Sequence, residues 1–136
     1  MFFRHTRWAL LWALLIAILC GMPGRDIPHF SFLEMLSFDK WVHAGIFFVL
    51  FVLSTSGFGK QNTFGLLNRY PKIIALVLCV VYGGVLELLQ GAVFEERSAD
   101  IYDFIANSFG AVMGLLLYDK FAARISWLRY EHRPEK

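Results

Sequence analysis

Four stretches of the chain are almost free of charge: Trp8 to Gly21, Trp41 to Phe58, Ile73 to Phe94 and Ile101 to Tyr118. Each is continuously apolar and lacks two-residue alternation, so each predicts a helix and not a barrel strand. A bilayer core of ~30 Å takes ~20 apolar residues at about 1.5 Å per residue, with a lower limit of about 17. The last three runs meet that length, and the first does so if Phe2, Phe3 or Met22 extend it. The pattern predicts an all-α, polytopic membrane protein with four transmembrane helices in a bundle. The spans fall at about 8–22, 41–58, 73–94 and 101–118, in a single domain over 1–136 with a basic cytoplasmic tail at 119–136.

The connections carry weaker signals. In the stretch from Met22 to Phe38, Pro23, Gly24 and Pro28 break helix, and Ser31 with Glu34 forms a capping box ahead of Leu33, Met35, Leu36 and Phe38. A short amphipathic helix on the outer membrane face is expected, with an irregular loop as the alternative. Gly59 to Pro71 has turn residues and basic charge but no motif. In the tail, Phe121, Ile125 and Leu128 recur at helical spacing among Lys120, Arg124 and Arg129, which predicts an interfacial helix against anionic lipid.

Composition agrees with the pattern. Of 136 residues, 57% are apolar and 18% charged, with mean hydropathy +0.54; soluble domains average about 45–50% and about 25%. Disorder, collagen-like repeats and, with two cysteines, a disulfide scaffold are excluded. Cys20 and Cys79 are expected at different depths as apolar-packed thiols. A net charge of +2 gives no sign of a nucleic-acid partner.

The position of the charges says more than their sum. Arg4, Arg7, Lys60, Arg69, Lys72 and the five basic residues after the fourth run fall on one side of a four-span arrangement. Only Arg25, Lys40 and Arg97 fall on the other. The positive-inside rule puts both termini in the cytoplasm, as an even number of spans also allows. A cleaved or lipidated signal ending at Cys20 is disfavoured, because Ile18 and Leu19 stand where small residues should precede a cleavage site.

Polar groups inside the runs are costly and mark function by default. Glu87 and Gln90 share a face of the third helix. Asp100, Asp103 and Asn107 share one of the fourth, and Asp39 and His43 are four apart at the start of the second. Glu87 lies ~10 Å from the outer end of its run and Asn107 ~9 Å from the start of its own. No comparable set is apparent in the inner half. This convergence predicts a polar pocket open to the extracytoplasmic side, with Lys40 and Arg97 at its rim beside Glu95 and Glu96. Each residue has a plainer alternative. Asp39 caps the second helix, Ser98 caps the fourth with Asp100 favoured by the dipole, and Lys40 snorkels. Glu87 needs a partner, supplied by Arg97 or Lys40 as a counter-charge, or by Gln90 and Asn107 as hydrogen bonds. Gly110 and Gly114, with Ala106, form a small-residue step for close helix packing, as do Gly83 and Gly84. No phosphate loop, zinc signature or nucleophile elbow is present.

Three blocks in order resemble the VanZ-like family of small bacterial integral membrane proteins. They are Asp39-Lys40-x-x-His43, Glu87-x-x-Gln90, and Arg97 with Asp100, Asp103, Asn107 and Gly110. Ala44 and Gly45 depart from the bulkier residues expected after the histidine, and Glu95 from the Pro or Gly often found before the arginine. The resemblance implies a four-span protein of the bacterial cytoplasmic membrane. The founding member is linked to low-level resistance to the glycopeptide teicoplanin, so antibiotic resistance or envelope homeostasis is what the family label implies here.

Three functions fit these residues. The first is binding of a cell-envelope lipid or precursor, with Arg97 and Lys40 holding an anionic head group and the apolar helices its tail. The second is a membrane-embedded hydrolase or transferase acting on a lipid-linked substrate. Asp39, His43, Glu87, Asp100 and Asp103 offer ligands for a divalent metal, with Asp39, His43 and Glu87 the first candidates and Glu87 a candidate general base; no other cofactor is implied. The third is an ion- or proton-coupled carrier, which requires a homo-oligomer. Whether the chain is an enzyme is left open by its residues.

Overall fold

The computed structural model describes residues 1–21, 32–93 and 100–131, the side chains of 32–37 and 93 excepted. Every regular element among them is helical: α1 (Phe2–Gly21), α2 (Phe32–Lys60), α3 (Gly65–Arg69), α4 (Pro71–Val93) and α5 (Ile101–Arg124), followed by a 3₁₀ turn at Ser126–Leu128. Four segments are long and apolar enough to cross a membrane: Phe2–Gly21, Phe38–Lys60, Pro71–Ala92 and Ile101–Arg124.

Three expectations at the element ends are corrected. The first concerns the surface helix expected from Ser31 and Glu34. Ser31 lies outside the described residues, and the backbone from Phe32 runs unbroken into the span as one helix. No glycine or proline lies between Phe32 and Trp41 to interrupt it. Asp39 therefore sits inside α2 and caps nothing.

The second is the cap of α5. It is Asp100, in extended conformation, whose carboxylate accepts from the Tyr102 N–H at 2.8 Å. The third is the tail. The chain leaves helical geometry at Ile125 and folds back: the Tyr118 hydroxyl donates to the Leu128 carbonyl at 2.6 Å, and Arg129 Nε donates to the Ala122 carbonyl at 2.8 Å. Leu128 is buried, while Phe121 and Ile125 stay exposed. Burying Leu128 against the end of the molecule replaces the expected interfacial helix.

α2 is the central element. It packs against α1, α4 and α5, and 61% of its span is buried, against 17–33% for the others. The outer faces carry exposed leucines such as Leu14, Leu88 and Leu116, whereas Thr6, Thr55, Gln61 and Asn107 are almost fully buried. That inversion suits a chain surrounded by hydrocarbon, where polar side chains turn inward; Thr6, Gln61 and Asn107 find partners there, while the Thr55 hydroxyl has none among the described residues. α2 and α5 run parallel and touch backbone to backbone. A Cβ on Gly110 would collide with the Ala44 carbonyl, and one on Gly114 would come within 2.6 Å of the Phe51 ring. On the other side of α2, a Cβ on Gly57 would lie 2.9 Å from the His5 carbonyl oxygen, so α1 also approaches closely, though less so than α5. Trp12 Nε1 donates to the Ile46 carbonyl at 2.9 Å and the Tyr82 hydroxyl to the Ala13 carbonyl at 2.6 Å, pinning α1 to α2 and α4. Cys20 and Cys79 are both buried thiols.

The α2–α4 connection, which carried no motif, is organised by Gln61. Its amide donates to the carbonyls of Phe58 (3.3 Å) and Phe64 (2.8 Å), and its Oε1 accepts from the N–H groups of Thr63 and Phe64. Asn68 adds bonds to the carbonyls of Gly59 and Gln61. With Thr6, Ser54, Thr55 and Ser56 also buried, this end holds a second polar layer. The expectation that only one end is polar is corrected accordingly: this layer is made of hydroxyls and amides, which raise no charge signal in the sequence. Gln61→Leu leaves two N–H groups without their acceptor and is expected to destabilise by about 1–3 kcal/mol, read as a lowered thermal midpoint in detergent.

Candidate functional site

The parallel contact of α2 with α5 sets the site. With Gly110 against Ala44, the preceding residues come into register: His43, adjacent to Ala44, meets Asn107 one turn before Gly110, and Lys40, one turn before Ala44, meets Asp103 two turns before Gly110. Lys40 Nζ bonds Asp100 Oδ2 at 2.8 Å and Asp103 Oδ1, with Asp39 at 3.9 Å. His43 Nδ1 lies 3.0 Å from Asn107 Oδ1. Its Nε2 faces Asp39 Oδ1 at 3.6 Å and Asp103 Oδ2 at 3.8 Å. A Cβ on Gly83 would come within 3.3 Å of Asn107 and Phe47, so the small residues of α4 let that helix close the third side.

Glu87 finds a partner that the sequence did not suggest. Its Oε2 accepts from the Asp100 backbone N–H at 3.1 Å, which places a buried carboxylate at the N-terminus of α5, where the helix dipole favours negative charge. The expected side-chain partners are engaged elsewhere: Asn107 with His43, Lys40 with Asp100 and Asp103, and Gln90 with the Cys20 carbonyl of α1 at 3.0 Å. The structure thus joins Asp39, Lys40, His43, Glu87, Asp100, Asp103 and Asn107 into one connected cluster. Gln90 faces away toward α1. Arg97, with Glu95, Glu96 and Ser98, lies outside the described residues.

Two consequences follow for chemistry. Lys40 is committed to carboxylates: the side chains of Asp39, Asp100 and Asp103 surround its one ammonium, which leaves it less free for the anionic head group expected of it. The group whose ligand atoms lie close enough for a cation is Asp39, His43 and Asp103, all within 4.8 Å of one another; Glu87 is not in it. Lys40 already contacts Asp103, so a metal ion there would displace or repel that ammonium.

Lys40 also holds the Asp100 carboxyl below its ordinary range, helped by the Tyr102 N–H and opposed by burial. A carboxylate depressed in the folded state stabilises the fold above its unfolded value of about 3.9 and loses that stabilisation as pH falls through the depressed value. The thermal midpoint is therefore expected to fall as the pH drops below about 4, and Asp100→Asn is expected to reduce that fall. Unfolding followed by tryptophan emission across this range checks it.

Four helices long and apolar enough to span a membrane, three of them joined at one end by an ionic cluster, point to a multi-pass membrane protein. The family model for VanZ/LLP1 matches residues 2–123, and the chain belongs to that family. No curated protein and no solved structure gives a significant match.

Sequence reasoning missed Gln61 and the indole and phenol hydroxyl bonds to helix carbonyls. The available signal was modest: Trp12 and Tyr82 are aromatics with a polar handle inside apolar runs, where such handles need partners.

Proposed function

We propose that this chain binds an amphiphilic cell-envelope lipid or precursor at the cluster of α2, α4 and α5, from the extracytoplasmic side of a bacterial cytoplasmic membrane. The four spans form a bundle with both termini in the cytoplasm, and envelope homeostasis or glycopeptide resistance is the setting that the family suggests. The observation that carries this reading is the connected group of seven ionisable and amide side chains at one end of three largely apolar helices. Intramembrane charge of that kind is expensive and is retained for function. Acceptors outnumber donors there, so the favoured head group offers hydroxyl or amino donors, with Asp39 half-exposed to receive them. The tail lies along the exposed apolar faces.

A second reading is a membrane-embedded hydrolase or transferase using a divalent metal, favoured by the spacing of Asp39, His43 and Asp103. Metal analysis of detergent-purified protein separates the two: a stoichiometric metal lost with Asp39→Asn supports the second and sinks the first.

Glu87→Gln tests the site. It is expected to leave membrane expression intact and to lower occupancy of a co-purifying amphiphile about tenfold or more, the effect of ~1.4 kcal/mol. Full occupancy in that variant would remove Glu87 from the site. For orientation, Asn62→Cys is expected to react with an impermeant thiol reagent only from the cytoplasmic side. Labelling from outside would invert the topology.

A further inference from the structure

We propose that the opposite end of the molecule carries a second, independent site, for an anionic phospholipid of the surrounding leaflet. An apolar groove of about 480 Å³ runs along α1 past Trp8, Leu11, Trp12 and Leu15, walled by Leu53 of α2 and by Trp127. From Trp8 to Leu15 it follows the helix for ~10 Å. It adjoins a cleft of about 300 Å³ lined by Arg4, His5, Arg7 and Lys60, with Trp8 and Trp127 common to both. No acidic residue lines either one.

The two tryptophans form the boundary between cation and hydrocarbon. The Arg7 guanidinium lies 5.3 Å from the Trp8 ring centroid, and Lys60 Nζ lies 4.5 Å from that of Trp127 and bonds its carbonyl. Trp127 is there because the tail folds back, through the bonds of Tyr118 to Leu128 and of Arg129 to Ala122. A phosphodiester head group against Arg4, Arg7 and Lys60, with one acyl chain along α1, satisfies both halves at once. A soluble anion would leave the groove empty, and an uncharged lipid would leave the cations without an anion. Charge complementarity and the shared walls together select an anionic lipid.

The test uses Trp41→Phe protein, in which the three remaining tryptophans all line the groove. The protein is placed in phosphatidylcholine nanodiscs containing a minor fraction of phosphatidylglycerol, with brominated acyl chains on one lipid or the other. Quenching is expected to show a preference for phosphatidylglycerol of about fivefold or more, since one basic group near the surface contributes about that factor. Arg4→Gln/Arg7→Gln, both exposed side chains, is expected to abolish the preference. Lys120→Gln/Arg124→Gln, which removes two exposed charges of the same end outside the groove, is expected to keep it. Equal quenching by the two lipids would overturn the site, and so would equal loss in both double variants, which would indicate a diffuse field.

Discussion

Gly110→Val is expected to abolish stable folding of the membrane-embedded chain. The first atom of any side chain at 110 would overlap the Ala44 carbonyl and approach its Cα to 2.9 Å. Both obstacles are backbone, so no rotamer change relieves them, and α5 has to move away from α2 as a body. The cost exceeds the about 1–3 kcal/mol of an ordinary overpacked core. The same displacement separates His43 from Asn107 and Lys40 from Asp103, so packing and ionic cluster fail together. Gly45→Ala is the matched control, because nothing lies within 4 Å of its Cβ position. Thermal unfolding and monodisperse yield in detergent check both. A Gly110→Val protein with the wild-type midpoint would mean that α2 and α5 are not in backbone contact.

Lys40→Met has the second largest expected effect. It removes the one cation among the described residues that joins Asp100 to Asp103 and leaves those carboxylates facing each other. Breaking a buried pair typically costs about 3–5 kcal/mol. The lower end applies here, because a fifth of the Lys40 side chain and a third of that of Asp100 remain exposed. Adding Asp103→Asn is expected to restore part of the loss, since one uncompensated charge is gone. Simple addition of the two single effects would show that Lys40 and Asp103 are not coupled.

The spans were legible because hydrocarbon imposes a length and a polarity that side chains report directly. The members of the ionic cluster were legible for a related reason. Asp39, Lys40, His43, Glu87, Asp103 and Asn107 are costly at those depths, and helical spacing put them on shared faces. Their pairing was not legible, because it depends on which helices run parallel and how close they come. Gly110 suggested a close approach but not that Ala44 is its partner. The partner of Glu87 escaped notice because it is a backbone N–H, which every position offers. The fold-back of the tail was hidden because Phe121, Ile125 and Leu128 keep helical spacing, although only Leu128 is buried. Gln61 looked like loop polarity, and its value comes from four backbone groups brought around it.

The proposal that the cluster is a ligand site is tested most directly by mass spectrometry of what co-purifies with the intact chain. Wild-type protein is expected to carry one amphiphile species at near-stoichiometric level, enriched over bulk membrane lipid. Asp39→Asn, whose side chain is half-exposed and tied to no cap, is expected to lose that species while folding normally. The same unselected lipid mixture on both proteins would contradict the site.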